Sequence, residues 1–301
     1  MSIADRFEGC ILAGAIGDAM GSGYEFNVLK APDTYYIFDE PTREKPPWQL
    51  TDDTQLSIAT VEAWIKGGSF DAEGVAQELA RVYATGRLRG AGASTVKALQ
   101  ELCAGGHWSQ VGRRGEFAAG NGAAMRIAPL AFDRTVSNKQ IREVSYITHQ
   151  NQEAYVGARC VVGAIHQVIY CDTDNVEQII NSIATGIPDT NVRDRLHEVA
   201  GRGTLESVGK LCASAYVVDS VPLAIFAGVA VGRTDLQAMY ERLIQIGGDT
   251  DTNCSIAGQI AGAAIGAKAI PTKFKKALAE LDQYRKIKTV IEQFTDKQQW
   301  T

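Results

Sequence analysis

Gly258, Gly262 and Gly266 recur every fourth residue within an apolar stretch from Cys254 to Ile270, which reads as a helix over 254–269. Glycine costs up to about 1 kcal/mol per site in a helix interior relative to alanine. Its repeated use predicts a helix whose backbone lies directly against another. The N-terminal stretch carries a matching device. From Gly9 to Gly21 the sequence is GCILAGAIGDAMG, with Gly14, Gly17 and Gly21 inside an otherwise apolar helical pattern. Both segments are expected to be central, buried helices near each other. Small-residue spacing of this kind also marks paired membrane helices. Here the apolar stretches at 10–20 and 254–270 are too short to span a bilayer, and they carry Asp18, Gln259 and Lys268.

The glycine-spaced helix is preceded by Gly247-Gly248-Asp249-Thr250-Asp251-Thr252-Asn253. Two glycines give a turn, and Asp249 to Asn253 then fall at or just before a helix N-terminus, where free N–H groups and the helix dipole favour negative charge. Two carboxylates so close repel by roughly 4 kcal/mol at about 4 Å and an effective dielectric near 20. A helix cap needs only one of them, whereas a hard cation would use both and the threonines as well. Thr51-Asp52-Asp53-Thr54 repeats the same grammar far upstream, ahead of Leu56, Ala59, Thr60, Ala63 and Trp64 on one helix face. Either cluster alone reads equally as an N-cap. Facing each other, they would bring together four carboxylates and two or three hydroxyls, enough for a two-magnesium site.

The chain has 301 residues, 45% hydrophobic and 22% charged, which fits a globular protein with a sizeable core. No linker-like segment divides it, so residues 1–301 are expected to form one domain. The net charge of -5 and the absence of a basic run argue against nucleic acid as a constitutive partner. Cys10, Cys103, Cys160, Cys171, Cys212 and Cys254 are scattered without a CxxC, as for free thiols in a reducing compartment. With no basic n-region leading into an apolar h-region, a cytoplasmic location is expected and no membrane partner.

Helical patterns fill the rest, at 52–66, 71–85, 92–103, 122–131, 138–148, 151–170, 175–185, 190–200, 205–212, 220–231, 235–246 and 272–294. Val161-Val162 and Val217-Val218 are the only strand candidates, and each sits in a helix-compatible stretch, so the fold class is all-α. Residues 27–50, rich in proline, read as a loop and a candidate lid over the Asp52-Asp53 cluster. Glu25 lies between Tyr24 and Phe26, where burial would raise its pKa as a general acid or base requires, though the triplet alone favours a surface glutamate. Gly120-Asn121-Gly122-Ala123-Ala124-Met125-Arg126 is a turn opening into a helix, with N–H groups and an arginine suited to phosphate; Arg126 reads equally as a buried ion-pair partner. His149, in Thr148-His149-Gln150-Asn151, reads as a ligand contact or as a structural hydrogen bonder. His107, His166 and His197 have no neighbours of ligand type.

Taken together, these motifs make the chain resemble the ADP-ribosylglycohydrolase family, which includes the enzyme that reactivates dinitrogen reductase and the eukaryotic ADP-ribosyl-acceptor hydrolases. The resemblance runs through GDAMGSGYEF (Gly17 to Phe26), TDDT (Thr51 to Thr54), GNGAAMR (Gly120 to Arg126) and Thr148-His149. It continues with Ser220 to Pro222 and GGDTDT (Gly247 to Thr252), so it covers nearly the whole chain. TDDT and GGDTDT carry its specificity. It implies an all-α orthogonal multi-helix bundle with a binuclear Mg²⁺ centre, Mn²⁺ being the other candidate, in a cleft. By position, Thr51, Asp52, Asp53, Asp249, Asp251 and Thr252 are the implied metal ligands, and Glu25 is a flexible acidic residue beside them. Gly120, Asn121, Gly122, Arg126 and His149 are the implied contacts to ADP-ribose. The sequence departs from the family pattern at Asn253-Cys254-Ser255 and at Asp219.

The expected reaction is hydrolysis of the glycosidic bond between ADP-ribose and an arginine or serine side chain of a mono-ADP-ribosylated protein. Asp251 or Asp249, or else Glu25, would take the proton from the attacking water. The alternatives are hydrolysis of a small ADP-ribose derivative or another nucleotide-sugar, and a non-catalytic, crystallin-like ADP-ribose-binding relative. All six implied ligand positions are filled, which argues against the last of these.

Overall fold

In a computed structural model of the chain, residues 1–25, 46–171 and 173–298 are described. The first helices are α1 (Ile3–Gly21), α2 (Asp52–Gly67), α3 (Ala72–Ala84), α4 (Ala93–Cys103) and a single turn, α5 (Trp108–Val111). The middle of the chain forms α6 (Asn138–Tyr146), α7 (Gln152–Tyr170), α8 (Val176–Thr185), α9 (Asn191–Ala200) and α10 (Leu205–Gly209). The last are α11 (Val217–Ala227), α12 (Leu236–Ile246), α13 (Thr250–Ile265), α14 (Thr272–Ala279) and α15 (Tyr284–Lys297). The fold is all-α, as expected. Among the described residues the only strands are Arg113–Arg114 and His149–Gln150, a short parallel pair with Arg113 opposite His149. Val161-Val162 and Val217-Val218 are helical.

Three segments differ from their expected form. The 122–131 pattern is not an α-helix but two 3₁₀ turns, Asn121–Ala123 and Ala128–Phe132. Pro129 explains this, since it supplies no N–H and disfavours helical backbone at the residue before it. Helix α13 begins at Thr250 rather than Cys254, so the second acid cluster forms its first turn. The 272–294 pattern splits into α14 and α15. Leu278 and Ile287, buried in the two helices, are nine residues apart. In one continuous helix that spacing would put them on opposite faces. Of the 27–50 loop only Pro46 to Leu50 lies within the described residues, so the lid expectation falls mostly outside them.

The centre of the structure is the packing of α1 on α13. A Cβ at Gly17 would lie 2.2 Å from the Cys254 carbonyl oxygen, one at Gly9 2.4 Å from that of Gly262, and one at Gly258 2.4 Å from that of Ala13. No side chain fits at these three positions. Two hydrogen bonds brace it: the Tyr240 hydroxyl of α12 donates to Ala13 O (2.6 Å) and Thr250 Oγ1 donates to Gly21 O (2.8 Å). On α2, the expected face of Leu56, Ala59, Thr60, Ala63 and Trp64 is buried. Trp64 meets Phe294 of α15 edge-on at 4.6 Å, and Phe294 stacks at 4.3 Å on Phe7 of α1. Cys10, Cys160, Cys212 and Cys254 are buried and Cys103 and Cys171 exposed, all as free thiols.

Gly17→Ala is expected to force the seam apart and destabilise the fold by about 1–3 kcal/mol. A urea titration checks this; an unchanged midpoint would mean that the seam yields without cost.

Candidate functional site

Helix α2 starts at Thr51, an N-cap whose side chain accepts from Asp53 N. Asp18, inside α1, organises this start. Its carboxylate accepts hydrogen bonds from Thr51 N (3.1 Å), Thr51 Oγ1 (2.8 Å), Thr54 N (3.2 Å) and Thr54 Oγ1 (2.5 Å). Sequence reasoning gave Asp18 no part in the site. The available signal was a carboxylate inside a glycine-rich apolar helix, a place where an unpaired charge is rarely tolerated. Burial lifts Asp18 to about 6, against the opposing effect of these hydrogen bonds.

The second acid cluster opens α13. Gly247 and Gly248 both take positive φ (82° and 81°), and a Cβ at Gly248 would fall on the Ala213 carbonyl oxygen. The Asp249 side chain makes no capping bond to α13, so the carboxylate is left for other partners. One is Asn121 Nδ2, which donates to Asp249 Oδ2 at 2.7 Å. The two clusters meet directly where Thr252 Oγ1 donates to Asp53 Oδ2 at 3.1 Å. Glu25, at the end of α1's 3₁₀ extension, completes the group: oxygens of Glu25, Asp249 and Asp251 lie within 4.8 Å of one another.

Six carboxylates therefore gather here, and among the described residues none has an ion-pair partner. Burial first, then the charge of Asp18, holds Asp52 and Asp53 well above the ordinary carboxylate range. Burial and the neighbouring Asp249 push Asp251 up to about 9 and raise Glu25. Asp53 Oδ1 is buried with no hydrogen-bond partner. An all-oxygen donor set, mutually repelling, with an orphaned buried carboxylate oxygen, fits hard divalent cations.

A cavity of about 270 Å³ opens beside this group. Glu25, Asp52, Asp249, Asp251 and Thr252 line it, while Thr51 and Asp53 lie behind. Gly120, Asn121, Gly122 and His149 line it as well. The Gly120–Ala123 turn is anchored on both sides: Asn121 N donates to Ala215 O (3.2 Å), and Gln259 Nε2 of α13 donates to Met125 O (2.7 Å). Arg126 does not reach the cavity. It is fully buried, and Nη2 donates to Val144 O and Thr148 Oγ1, both at 3.0 Å. Burial pulls His149 down to about 3, with the charges of Arg126 and Arg113 adding to the effect, so the ring is neutral.

Three further contributors to the cavity were not singled out in the sequence. Gly90 (φ 78°) passes close to Thr51 and Asp52, and the start of α4 supplies Ser94 and Thr95. Arg113 is the only Arg or Lys among the described lining residues. The signal for the first two was the glycine-rich RGAGAS at 89–94. Arg113 gave none, since its place depends on the strand pairing with His149.

Asp18→Ala removes the acceptor for four buried donors, each worth about 1–3 kcal/mol when left unsatisfied. It is expected to lower the urea midpoint more than any single substitution among the exposed acids; a smaller effect would mean that α2's start holds without it. A second expectation concerns pH. A carboxyl raised in the folded state holds its proton more tightly folded than unfolded. Its stabilisation is full below the unfolded pKa and is lost as pH rises through the folded value. With Asp251 at about 9, the metal-free protein should lose thermal stability steadily from about pH 5 to about 9. Added Mg²⁺ should restore most at the upper end, where protons no longer compete. Melting curves with Mg²⁺ and with EDTA test this, and an equal gain at every pH would contradict it.

The family model described as ADP-ribosylglycohydrolase matches residues 1–301. The chain is 27% identical to ADP-ribosylhydrolase ARH3 of Gallus gallus, over 94% of this chain and 91% of that protein. It is 25% identical to ADP-ribosylarginine hydrolase Tri1 of Pseudomonas putida (strain GB-1), over 94% of this chain and 76% of the other. A solved structure titled as an ADP-ribosylglycohydrolase-related protein complex superposes with a TM-score of 0.76 at 22% identity, covering 98% of both chains, and so shares the fold.

Proposed function

The chain belongs to the ADP-ribosylglycohydrolase family, and we propose that it is a metal-dependent hydrolase cleaving the glycosidic bond between ADP-ribose and an arginine or serine side chain of a mono-ADP-ribosylated protein. The observation that carries this reading is that two kinds of wall line one cavity. Acidic helix starts form one wall, and the Gly120–Gly122 turn with neutral His149 forms the other. On this reading residues 1–301 act as one catalytic domain, in keeping with the match along the whole chain. Free cysteines and the absence, among the described residues, of any helix able to cross a membrane accord with work in the cytoplasm.

Thr51, Asp52, Asp53, Asp249, Asp251 and Thr252 would hold two Mg²⁺ or Mn²⁺ ions. When bound, they supply positive charge that orients ribose hydroxyls and eases loss of a proton from water. The protein's own residues do the rest. Asn121 fixes Asp249 through its amide, and the Asp251 carboxylate is fixed by its bond from Thr252 N (2.9 Å). Glu25 has no hydrogen bond among the described residues and a raised pKa. It is the group best placed to take a proton from water attacking the anomeric carbon, with Asp251 and Asp249 as the other candidates. His149 and the backbone of Gly120–Gly122 would face the phosphates and ribose.

The direct test measures free ADP-ribose released from arginine- and serine-ADP-ribosylated peptides with Mg²⁺ and with EDTA. Metal-dependent release from one peptide is expected, with Asp251→Asn lowering the rate by about 100-fold or more. Release that persists in EDTA, or at full rate in Asp251→Asn, would refute the reading. Release only from small ADP-ribose derivatives would transfer it to those substrates.

A further inference from the structure

Arg126 was expected to touch the ligand, yet the fold buries its guanidinium behind the cavity wall. Its chemistry is informative there. A guanidinium only donates, and Nη2 lies 3.0 Å from Thr148 Oγ1, so that oxygen is the acceptor. Thr148 is fully buried, and its other polar neighbour is His149 Nδ1 at 2.8 Å. The hydroxyl has one proton to give, and Arg126 cannot receive it. Given to Nδ1 it is satisfied, and Nδ1 is then the unprotonated nitrogen of a neutral ring; an Nδ1–H donor would instead take the oxygen's second lone pair and leave the buried hydroxyl proton without an acceptor. The ring proton is then on Nε2. That nitrogen has no hydrogen-bond partner among the described residues, and it faces the Gly120–Gly122 turn: Cβ atoms there would lie 3.3 and 3.4 Å from it.

We propose that Arg126 is a positioning residue: through the Thr148 hydroxyl it holds His149 with its proton on Nε2, so that His149 offers the cavity a fixed N–H donor and not a basic nitrogen. The partner is then an acceptor oxygen, of a phosphate or a hydroxyl, and His149 does not act as a general base. The relay stands on hydrogen-bond geometry; only the identity of that oxygen, as part of ADP-ribose, rests on the function proposed above. Low affinity for a proton accords with the arrangement: burial first, then the charges of Arg126 and Arg113, opposes a charged ring.

The test is a two-bond ¹H–¹⁵N correlation spectrum of the full chain labelled at histidine, with His149 assigned by its loss in His149→Gln. The wild type is expected to show Nδ1 unprotonated and hydrogen-bonded and Nε2 protonated, unchanged across neutral pH. In Thr148→Val and Arg126→Met the Nδ1 signal should move toward that of a ring nitrogen without a bond, and Thr148→Ser should restore it. ADP-ribose affinity, measured by calorimetry, should fall about tenfold in Thr148→Val and little in Thr148→Ser. Adding Thr148→Val to His149→Gln should cost nothing more. A protonated Nδ1 in the wild type overturns the proposal whether or not Thr148→Val and Arg126→Met fold. So does an unmoved Nδ1 signal in folded Arg126→Met. If the wild type fails to bind ADP-ribose, the proposed function is at fault, and the spectrum still decides the relay.

Discussion

The seam between α1 and α13 is held by backbone atoms in direct contact, and the cavity depends on it. α1 carries the two features that place the acid clusters. The Gly21 carbonyl, at its end, receives the Thr250 hydroxyl and so fixes the first turn of α13. Asp18, one turn earlier, gathers the donors at the start of α2. Residues about two hundred positions apart thus meet because one helix holds both partners. A wider seam would carry Asp251 and Thr252 away from Asp53, and the 3.1 Å bond between the clusters would be lost.

That arrangement works against stability. Like charges in a low-dielectric setting repel by several kcal/mol per close pair, and no cationic side chain among the described residues forms an ion pair with them, Arg126 attracting Asp52 only from a distance. The chain answers part of this with hydrogen bonds: four donors on Asp18, Asn121 on Asp249, and Thr252 on Asp53. The rest appears as carboxyls held above their ordinary pKa, most clearly Asp251. A site built only for stability would have fewer acids or a lysine among them. Carboxyls kept in excess at a buried position fit a site that could hold cations, where folding cost is traded for function.

Much of this was legible in the sequence, because the decisive features were local. Repeated glycines, every fourth residue in α13 and three to five apart in α1, marked both helices of the seam, and the repeated hydroxyl–carboxylate grammar marked both helix starts. What could not be read depended on contacts between distant segments. Asp18 looked like a lone charge until Thr51 and Thr54 were packed against it. Arg113 reaches the cavity only through its pairing with His149. Arg126 lay within a motif suited to phosphate, and nothing local said that Val144 and Thr148 would claim it. The 122–131 and 272–294 segments differ for another reason: Pro129 in the first, and the half-turn phase shift between Leu278 and Ile287 in the second, interrupt an otherwise helical apolar pattern.

The two walls differ in how freely their groups can move, and the difference follows from their anchors. The Gly120–Gly122 turn is tied through Asn121 to Ala215 and Asp249, and His149 to Thr148, so this wall presents donors of fixed direction. On the acidic wall Asp249 and Asp251 are each held by a hydrogen bond, while Glu25 follows a short 3₁₀ turn and has none among the described residues. A ligand matched to both walls carries acceptor oxygens toward the donors and hydroxyls toward the acids, which is the polarity of a phosphorylated ribose. Fixed groups suit binding, because they lose little freedom when the ligand arrives. A proton carrier gains from the opposite property, since it must reach the water and then turn away with its proton. Under the proposed function, Glu25 on that ground suits the proton-transfer step better than the two held aspartates.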